Sequence, residues 1–422
     1  MKAETAWRPI LAGDLARRAQ DTIAAVAEEL PHDLSGSEPE DPDPSLATGD
    51  AGLAIFQAYL ARTRPGSEHE RLASEHLAWA SAALADVPLP PALHGGFTGV
   101  AWTVQHLQPP EPEAEDPLEG IDEALLEHLS QSPWRGEYDL ISGLAGFGVY
   151  AAERLPRPAA VLLLERILDR LVETAERRPE GLTWRTDPEL LPDWQRQLCP
   201  NGHYNLGLAH GVPGVIGLLG LMCQDGVLVK RARPLLEQAV AWLLAQKLPS
   251  AEDASYARWL GADAPEEPAR SAWCYGDPGV AAALLLAARA IGEPDWERQS
   301  VVLALAAARR PRERAGVVDA GLCHGAAGLA HIFNRMAQAT GDERLAEAAR
   351  VWFQRTLEFR QDGQGLGGFL AWAPEADGTP AWKADPGLLT GAAGIALALL
   401  AASGPHEPEW DRVLLVSVPP RG

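Results

Sequence analysis

Hydrophobic and polar positions divide the chain into two alternating kinds of helical segment. One kind is charged and amphipathic, with apolar residues at helical spacing along a single face. It spans roughly 11–30, 67–86, 118–131, 159–178, 228–247, 294–310 and 342–361. The other kind is rich in Ala and Leu and apolar nearly all round, as in 212–223, 279–291 and 392–402. A helix with a polar face belongs outside, and one apolar on every side belongs inside.

A Gly-x-x-Gly pair stands at the junction where each apolar helix begins. The pairs are Gly49/Gly52, Gly96/Gly99, Gly143/Gly146, Gly211/Gly214, Gly276/Gly279, Gly325/Gly328 and Gly391/Gly394. First glycines are 47, 47, 68, 65, 49 and 66 residues apart, so the period has a short and a long form that differ by a loop. Self-similarity at this spacing means stacked two-helix units. Seven outer–inner pairs closing on themselves predict an all-α fold, an α/α toroid (a double barrel) of seven outer and seven inner helices. Residues 1–422 are expected to form this one domain. An open solenoid is the alternative, and it needs atypical capping repeats at its ends. None is visible, so closure is the expectation.

This arrangement points all seven inner N-termini to one end. Without a Cβ, the glycines let backbones converge there and permit turns with positive φ. The long periods add three loops at the same end, 179–209, 249–272 and 361–389. Loops of this length are usually functional or disordered. Trp184, Trp194, Trp259, Trp372 and Trp382 lie in them and predict an ordered rim around a cleft. Segments 33–45 and 109–116, dominated by Pro, Asp, Glu and Ser, have the composition of disordered chain.

Composition narrows the function. The 422 residues are 46% hydrophobic, enough for a large core, and carry a net charge of −22. That charge argues against binding nucleic acid or an anionic membrane through a basic face. The N-terminal residues 1–5 show no apolar signal core, and no apolar run reaches a membrane span. Four cysteines at unrelated spacings do not form a disulfide framework and suit a reducing compartment. A soluble, acidic, cytoplasmic protein is expected.

Two of those cysteines hold a repeat-equivalent position. Cys274 in Trp273-Cys274-Tyr275-Gly276 and Cys323 in Cys323-His324-Gly325 each stand two residues before the first glycine of a pair. Two thiolates and one imidazole make a zinc set with an open fourth position, the pattern of catalytic rather than structural sites. Cys274, Cys323 and His324 are therefore the predicted Zn²⁺ ligands. Cys223 falls inside an apolar helix and reads as core, and Cys199 in a long loop reads as incidental. His331, seven residues past His324, reads as a packed histidine. His210 directly precedes Gly211, Asp139 stands four before Gly143, Arg270 four before Cys274, and Tyr275 between Cys274 and Gly276. These four converge on the same mouth and are the candidate catalytic residues. His94, before Gly95-Gly96, is a further candidate for the rim.

The motifs Trp273-Cys274-Tyr275-Gly276-x-Pro-Gly, Cys323-His324-Gly325, Ala209-His210-Gly211 and Tyr138-Asp139, in this order, resemble the lanthionine synthetase C-like family. The resemblance spans nearly the whole chain. It implies zinc on Cys274, Cys323 and His324, proton transfer by His210 and Asp139, and a site lined by Arg270 and Tyr275. The implied reaction adds Cys thiols of a dehydrated precursor peptide to dehydroalanine or dehydrobutyrine, forming thioether rings. A cognate dehydratase and an exporter are the further partners it suggests, in a cytoplasmic enzyme peripheral to a membrane-associated complex. No segment is long enough for the SH2-like insertion of nisin-type cyclases, which leaves precursor docking open, and the chain reads as a stand-alone cyclase. Two other readings share the motifs: addition of glutathione or another small thiol to dehydroamino acids, and a non-catalytic peptide-binding module with a structural zinc. Toroidal glycoside hydrolases require paired carboxylates instead.

Overall fold

The inner helices begin where the glycine pairs end, as the apolar pattern requires. The computed structural model describes residues 7–30, 43–109, 115–249, 254–261, 267–374 and 379–420. In chain order its helices are α1 (Gly13–Glu29), α2 (Asp50–Thr63), α3 (Glu68–Asp86), α4 (Phe97–Leu107), α5 (Glu119–Leu129), α6 (Leu144–Glu153), α7 (Pro158–Thr174) and α8 (Asp193–Leu198). There follow α9 (Val212–Gln224), α10 (Val229–Ala245), α11 (Asp277–Ile291), α12 (Pro294–Arg309), α13 (Ala326–Thr340), α14 (Glu343–Glu358) and α15 (Ala392–Ser403). Helices α2, α4, α6, α9, α11, α13 and α15 form the inner ring, each packed on the next and α15 back on α2. The toroid is closed.

Packing pairs the helices differently from their order in the repeat. Among the outer helices, most inner helices pack chiefly on the one that follows them: α2 on α3, α6 on α7, α9 on α10, α11 on α12 and α13 on α14. The first outer helix, α1, is left over and packs on the last inner helix, α15. Trp7 Nε1 donates to Ala401 O at 2.7 Å, and the Ile10 and Leu11 amides donate to Ala402 O. The two ends of the chain thus supply the two halves of one unit.

Backbone hydrogen bonds close the mouth. The Ala47 N–H donates to His94 O, His94 to Ile141, Leu140 to Ala209, Ala209 to Cys274, Cys274 to Cys323, Cys323 to Leu389, and Leu389 back to Ala47. These seven bonds measure 2.8–3.3 Å and join residues two positions before each first glycine, with a one-residue step at Leu140/Ile141. The glycines make this approach possible. A Cβ on any second glycine of a pair would lie 1.8–2.6 Å from the carbonyl oxygen six residues earlier. On Gly99 it would also meet Leu46 Cβ of the preceding repeat at 2.9 Å. Positive φ proves nearly irrelevant: of the seven first glycines only Gly276 has it (φ 137°), and the others are extended.

The C-terminal stretch plugs the barrel. A 3₁₀ turn at Glu409–Leu414 and the residues after it bury Trp410, Val413, Leu414, Leu415, Val416 and Val418. Trp273 Nε1 donates to Leu414 O at 2.8 Å. Asp411 accepts from Arg335 Nε (2.6 Å) and Nη2 (2.9 Å) and pairs with His331 Nε2 (2.7 Å), so the packed histidine has a charged partner. Complete hydrogen bonding is what makes such a buried ion pair tolerable.

The long loops are ordered wherever they are described. Strands β1 (Glu176–Arg178) and β2 (Gly181–Thr183) pair antiparallel against α10, which cuts the outer helix predicted to reach 178 short at Thr174. Strands β3 (Tyr204–Asn205) and β4 (Trp259–Leu260) join the first loop to the second, and β5 (Ala371–Pro374) pairs with β6 (Pro380–Lys383) in the third. Trp194, Trp259 and Trp372 line the cavity at the mouth, as the rim prediction requires. Trp184 instead is fully buried, donating to Leu171 O, and Trp382 faces solvent. Of the segments expected to be disordered, 33–42 and 110–114 lie outside the described residues. Asp43 caps its turn through Ser45 N, and Asp116 pairs with Arg154 and Arg157.

Adjacent glycines give a direct test of this geometry. A Cβ on Gly96 would lie 1.9 Å from Pro90 O, whereas one on Gly95 meets nothing within 4 Å. Gly96→Ala should destabilise the fold by about 1–3 kcal/mol through overpacking, and Gly95→Ala should stay within about 0.5 kcal/mol. Denaturant midpoints of the two variants check this; equal midpoints would contradict the convergence argument.

Candidate active site and metal centre

The mouth of the toroid opens into a cavity of about 580 Å³. Its walls include Cys274, Cys323, His324, His210, Asp139, Arg270 and Tyr275, so all seven predicted site residues meet there. The hydrogen-bonded ring explains the first three. The Cys274 N–H donates to Cys323 O at 3.2 Å, which puts neighbouring repeats side by side and their thiols on one side. His324, next in sequence, completes the group, and the three ligand atoms lie within 4.8 Å of one another. Donors on one tetrahedral zinc stand roughly 3.5 Å apart given metal–ligand bonds of ~2.0–2.3 Å, so a small closure of this group would fit the ion.

Electrostatics of the group match that use. The hydrogen bond to Cys323 pulls the Cys274 thiol well below its ordinary value against the cost of burial, with His324 and Arg270 assisting. The same bond and burial push Cys323 well above it. One thiol of the pair is thus favoured as thiolate at the expense of the other, and a divalent cation would displace protons from both. Burial disfavours charge on His324, but Asp319 and Cys274 outweigh it and lift the imidazole to about 9. Asp319 Oδ2 stands 3.5 Å from His324 Nε2, the place of a carboxylate that orients a ligating histidine. The same oxygen accepts from Trp372 N at 3.1 Å, which ties the β5 strand to the centre.

Across the cavity, His210 Nδ1 meets Asp139 Oδ2 at 2.8 Å. Asp139 is held in turn by Ser142 N, which donates to Oδ1 at 2.8 Å. Burial works against a charged His210, yet Asp139 more than offsets it, so the imidazole pKa stands above its ordinary value. The ring stacks on Tyr275, with centroids 5.6 Å apart. Arg270 faces the cavity with no carboxylate partner among the described residues.

Other predicted positions fall elsewhere. His94 occupies the slot of the two cysteines but is buried beneath the mouth against Trp273, and burial drives its pKa down to about 4. It does not line the cavity. Cys199 packs with Leu191 and Trp259, and Cys223 is buried in α9, both apart from the donor group. Sequence reading missed Asp319, Asn205, Glu137 and His203. The first three share a signal: each stands six residues before the first glycine of its pair, where Asp43 and Asp385 stand in other repeats. Glu137 lines the cavity, and burial together with Asp139 and Asp187 raises its carboxyl to about 8.

A closed seven-helix toroid with two cysteines and a histidine gathered at its mouth defines an α/α-barrel protein built around a thiol-rich, metal-competent cavity. The family model of "Lanthionine synthetase C-like protein" matches residues 40–415, and the chain belongs to that family. It is 21% identical over 346 residues to the nisin biosynthesis protein NisC of Lactococcus lactis subsp. lactis, covering 76% of this chain and 81% of that protein. The solved structure of nisin cyclase superposes with a TM-score of 0.73 at 19% identity, over 96% of this chain and 98% of that one. No helix among the described residues is long and apolar enough to cross a membrane.

Asp139 is the group that keeps His210 chargeable. Asp139→Asn removes the attraction and leaves burial to dominate, so the His210 pKa should fall below its ordinary value. Histidine ring NMR titration measures this; an unshifted His210 would show that Asp139 does not set its charge.

Proposed function

We propose that the protein is a zinc-dependent lanthipeptide cyclase. Its substrate is a dehydrated precursor peptide, whose Cys thiols add to dehydroalanine or dehydrobutyrine to give lanthionine or methyllanthionine rings. One observation carries this reading: the three donor atoms of Cys274, Cys323 and His324 share a single cavity with the Asp139–His210 pair. Membership of the lanthionine synthetase C-like family and likeness to nisin cyclase support it. A reaction that dehydrates Ser and Thr must precede it, which makes a dehydratase the implied partner.

Zinc held by Cys274, Cys323 and His324 would lower the pKa of a substrate thiol, ordinarily about 8.5, and present it as thiolate. Two protein thiolates would bring the charge of such a set near neutral, so that a substrate thiolate held there would remain nucleophilic. The protein's own residues handle the proton. Asp139 occupies His210 Nδ1, leaving Nε2 as the nitrogen that takes and returns a proton. Attack forms the C–S bond at the β-carbon and moves the alkene electron pair toward the carbonyl oxygen. His210 then protonates the α-carbon, so that one S–H and one C=C become one C–S and one C–H. Arg270, with no carboxylate partner among the described residues, lines the same cavity and would place positive charge where that negative charge develops.

Three donors, not four, are gathered among the described residues, which favours an open catalytic position over a structural zinc. Metal analysis and peptide cyclisation test the whole reading. The wild type should hold one zinc per chain and Cys323→Ala should lose it. His210→Ala should keep its zinc and lose about 10²–10⁴-fold in cyclisation rate, the usual worth of a general acid. Metal-free wild-type protein, or full activity of His210→Ala, would reject the mechanism.

A further inference from the structure

A side chain caps the turn before four of the seven inner helices. Asp43, Asn205, Asp319 and Asp385 each accept a hydrogen bond from the backbone N–H two residues on, at Ser45 (2.9 Å), Gly207 (2.9 Å), Gly321 (3.3 Å) and Gly387 (2.7 Å). Such a turn needs only an acceptor oxygen, which Asp and Asn both supply. The turn therefore does not account for Asn at 205 where the other three repeats have Asp.

The far end of the amide does. With Oδ1 committed to Gly207, Nδ2 is turned toward Tyr275 Oη at 3.2 Å and His203 Nε2 at 3.4 Å. An amide nitrogen only donates, so the Tyr275 oxygen must accept, and its own proton has to point elsewhere. No protein acceptor takes that proton among the described residues. The phenol lines the cavity, stacks on His210 and follows Cys274 in the chain. It is thus a donor with its acceptor position already filled.

We propose that Asn205 is a positioning residue that fixes the polarity of the Tyr275 hydroxyl, aiming its proton into the cavity as the hydrogen-bond donor to the carbonyl oxygen of the reacting dehydroamino acid. This rests on the cyclase reading. As the C–S bond forms, the alkene electrons reach that oxygen; the phenol stabilises the enolate without giving up its proton, and His210 supplies the proton to the α-carbon. A donor aimed at developing oxyanion charge is worth about 10²–10³ in rate. Aspartate at position 205 would keep the turn, as it does in three other repeats, but would set a carboxylate against Tyr275. The hydroxyl would then donate to that carboxylate and be lost to the substrate.

The test compares zinc-loaded wild type with Asn205→Asp, Tyr275→Phe and the double variant on a dehydrated Cys-containing peptide. Asn205→Asp should keep its zinc, lower kcat about a hundredfold and leave KM nearly unchanged, and the double variant should be no slower than Tyr275→Phe. A second readout needs no turnover. In the Raman difference between each protein and its Tyr275→Phe counterpart, the tyrosine doublet should report an accepting hydroxyl in the wild type and a donating one in the Asn205→Asp variant. A doublet that does not change, Asn205→Asp activity within twofold of wild type, or losses that multiply in the double variant would each overturn the proposal. Should Asn205→Asp not fold, Tyr275→Phe activity within threefold of wild type overturns it. A wild type that shows the expected doublets but cyclises nothing would instead reject the cyclase reading on which the role depends.

Discussion

Seven backbone hydrogen bonds, passed from one repeat to the next and back to the first, hold the mouth of the toroid closed. Each links residues just before an inner helix, where neighbouring turns must come within hydrogen-bond distance. That approach leaves no room for side chains at the helix starts, which is why glycine stands there seven times over. The same ring decides what projects into the cavity. In repeats four to six the residues on it, or one position later, face the cavity, so His210, Cys274, Tyr275, Cys323 and His324 meet there, whereas His94 in the same slot turns inward.

Much of the candidate site is a set of substitutions at such positions. Positions two before the glycine hold Ala47, His94, Ile141, Ala209, Cys274, Cys323 and Leu389; positions one before hold His210, Tyr275 and His324 among smaller residues. Chemistry is concentrated in repeats three to six, and the remaining repeats complete the ring. Closure by α1 on α15 and the plug of Trp410 to Val418 stiffen the frame from below. Rigidity of this kind would suit the proposed reaction, in which several groups must hold fixed positions around a flexible peptide.

Two layers of support stand behind the groups that face the cavity. Asp319 stands beside His324 and fixes the third loop through Trp372 N; Asp139 raises the pKa of His210 and is itself held by Ser142 N. Asn205 joins the first loop to Tyr275, and pairing of β3 with β4 sets Trp259 beside it. The long loops are therefore built into the site and do more than surround it. Their tryptophans divide accordingly: Trp194, Trp259 and Trp372 face the cavity, while Trp184 anchors its loop to α7.

The toroid was legible in the residues alone, because helical periodicity, the change from amphipathic to wholly apolar helices, and a recurring glycine spacing are all local properties of the chain. The candidate donors Cys274, Cys323 and His324 and the pair His210 and Asp139 were also legible, because turns at the same end of a closed repeat lie close together. His94 shows, though, that a shared slot does not guarantee a shared direction. Which helix packs on which emerged with the fold, because α1 finds its partner at the other end of the chain. The fold also decided that His94, in the same slot as the cysteines, turns into the core, and that Asp319 and Asn205 serve the site from behind. Those outcomes depend on directions of side chains and on which acceptor each proton finds. A hydrogen bond is set by angle and distance in space, and the order of residues along the chain carries neither.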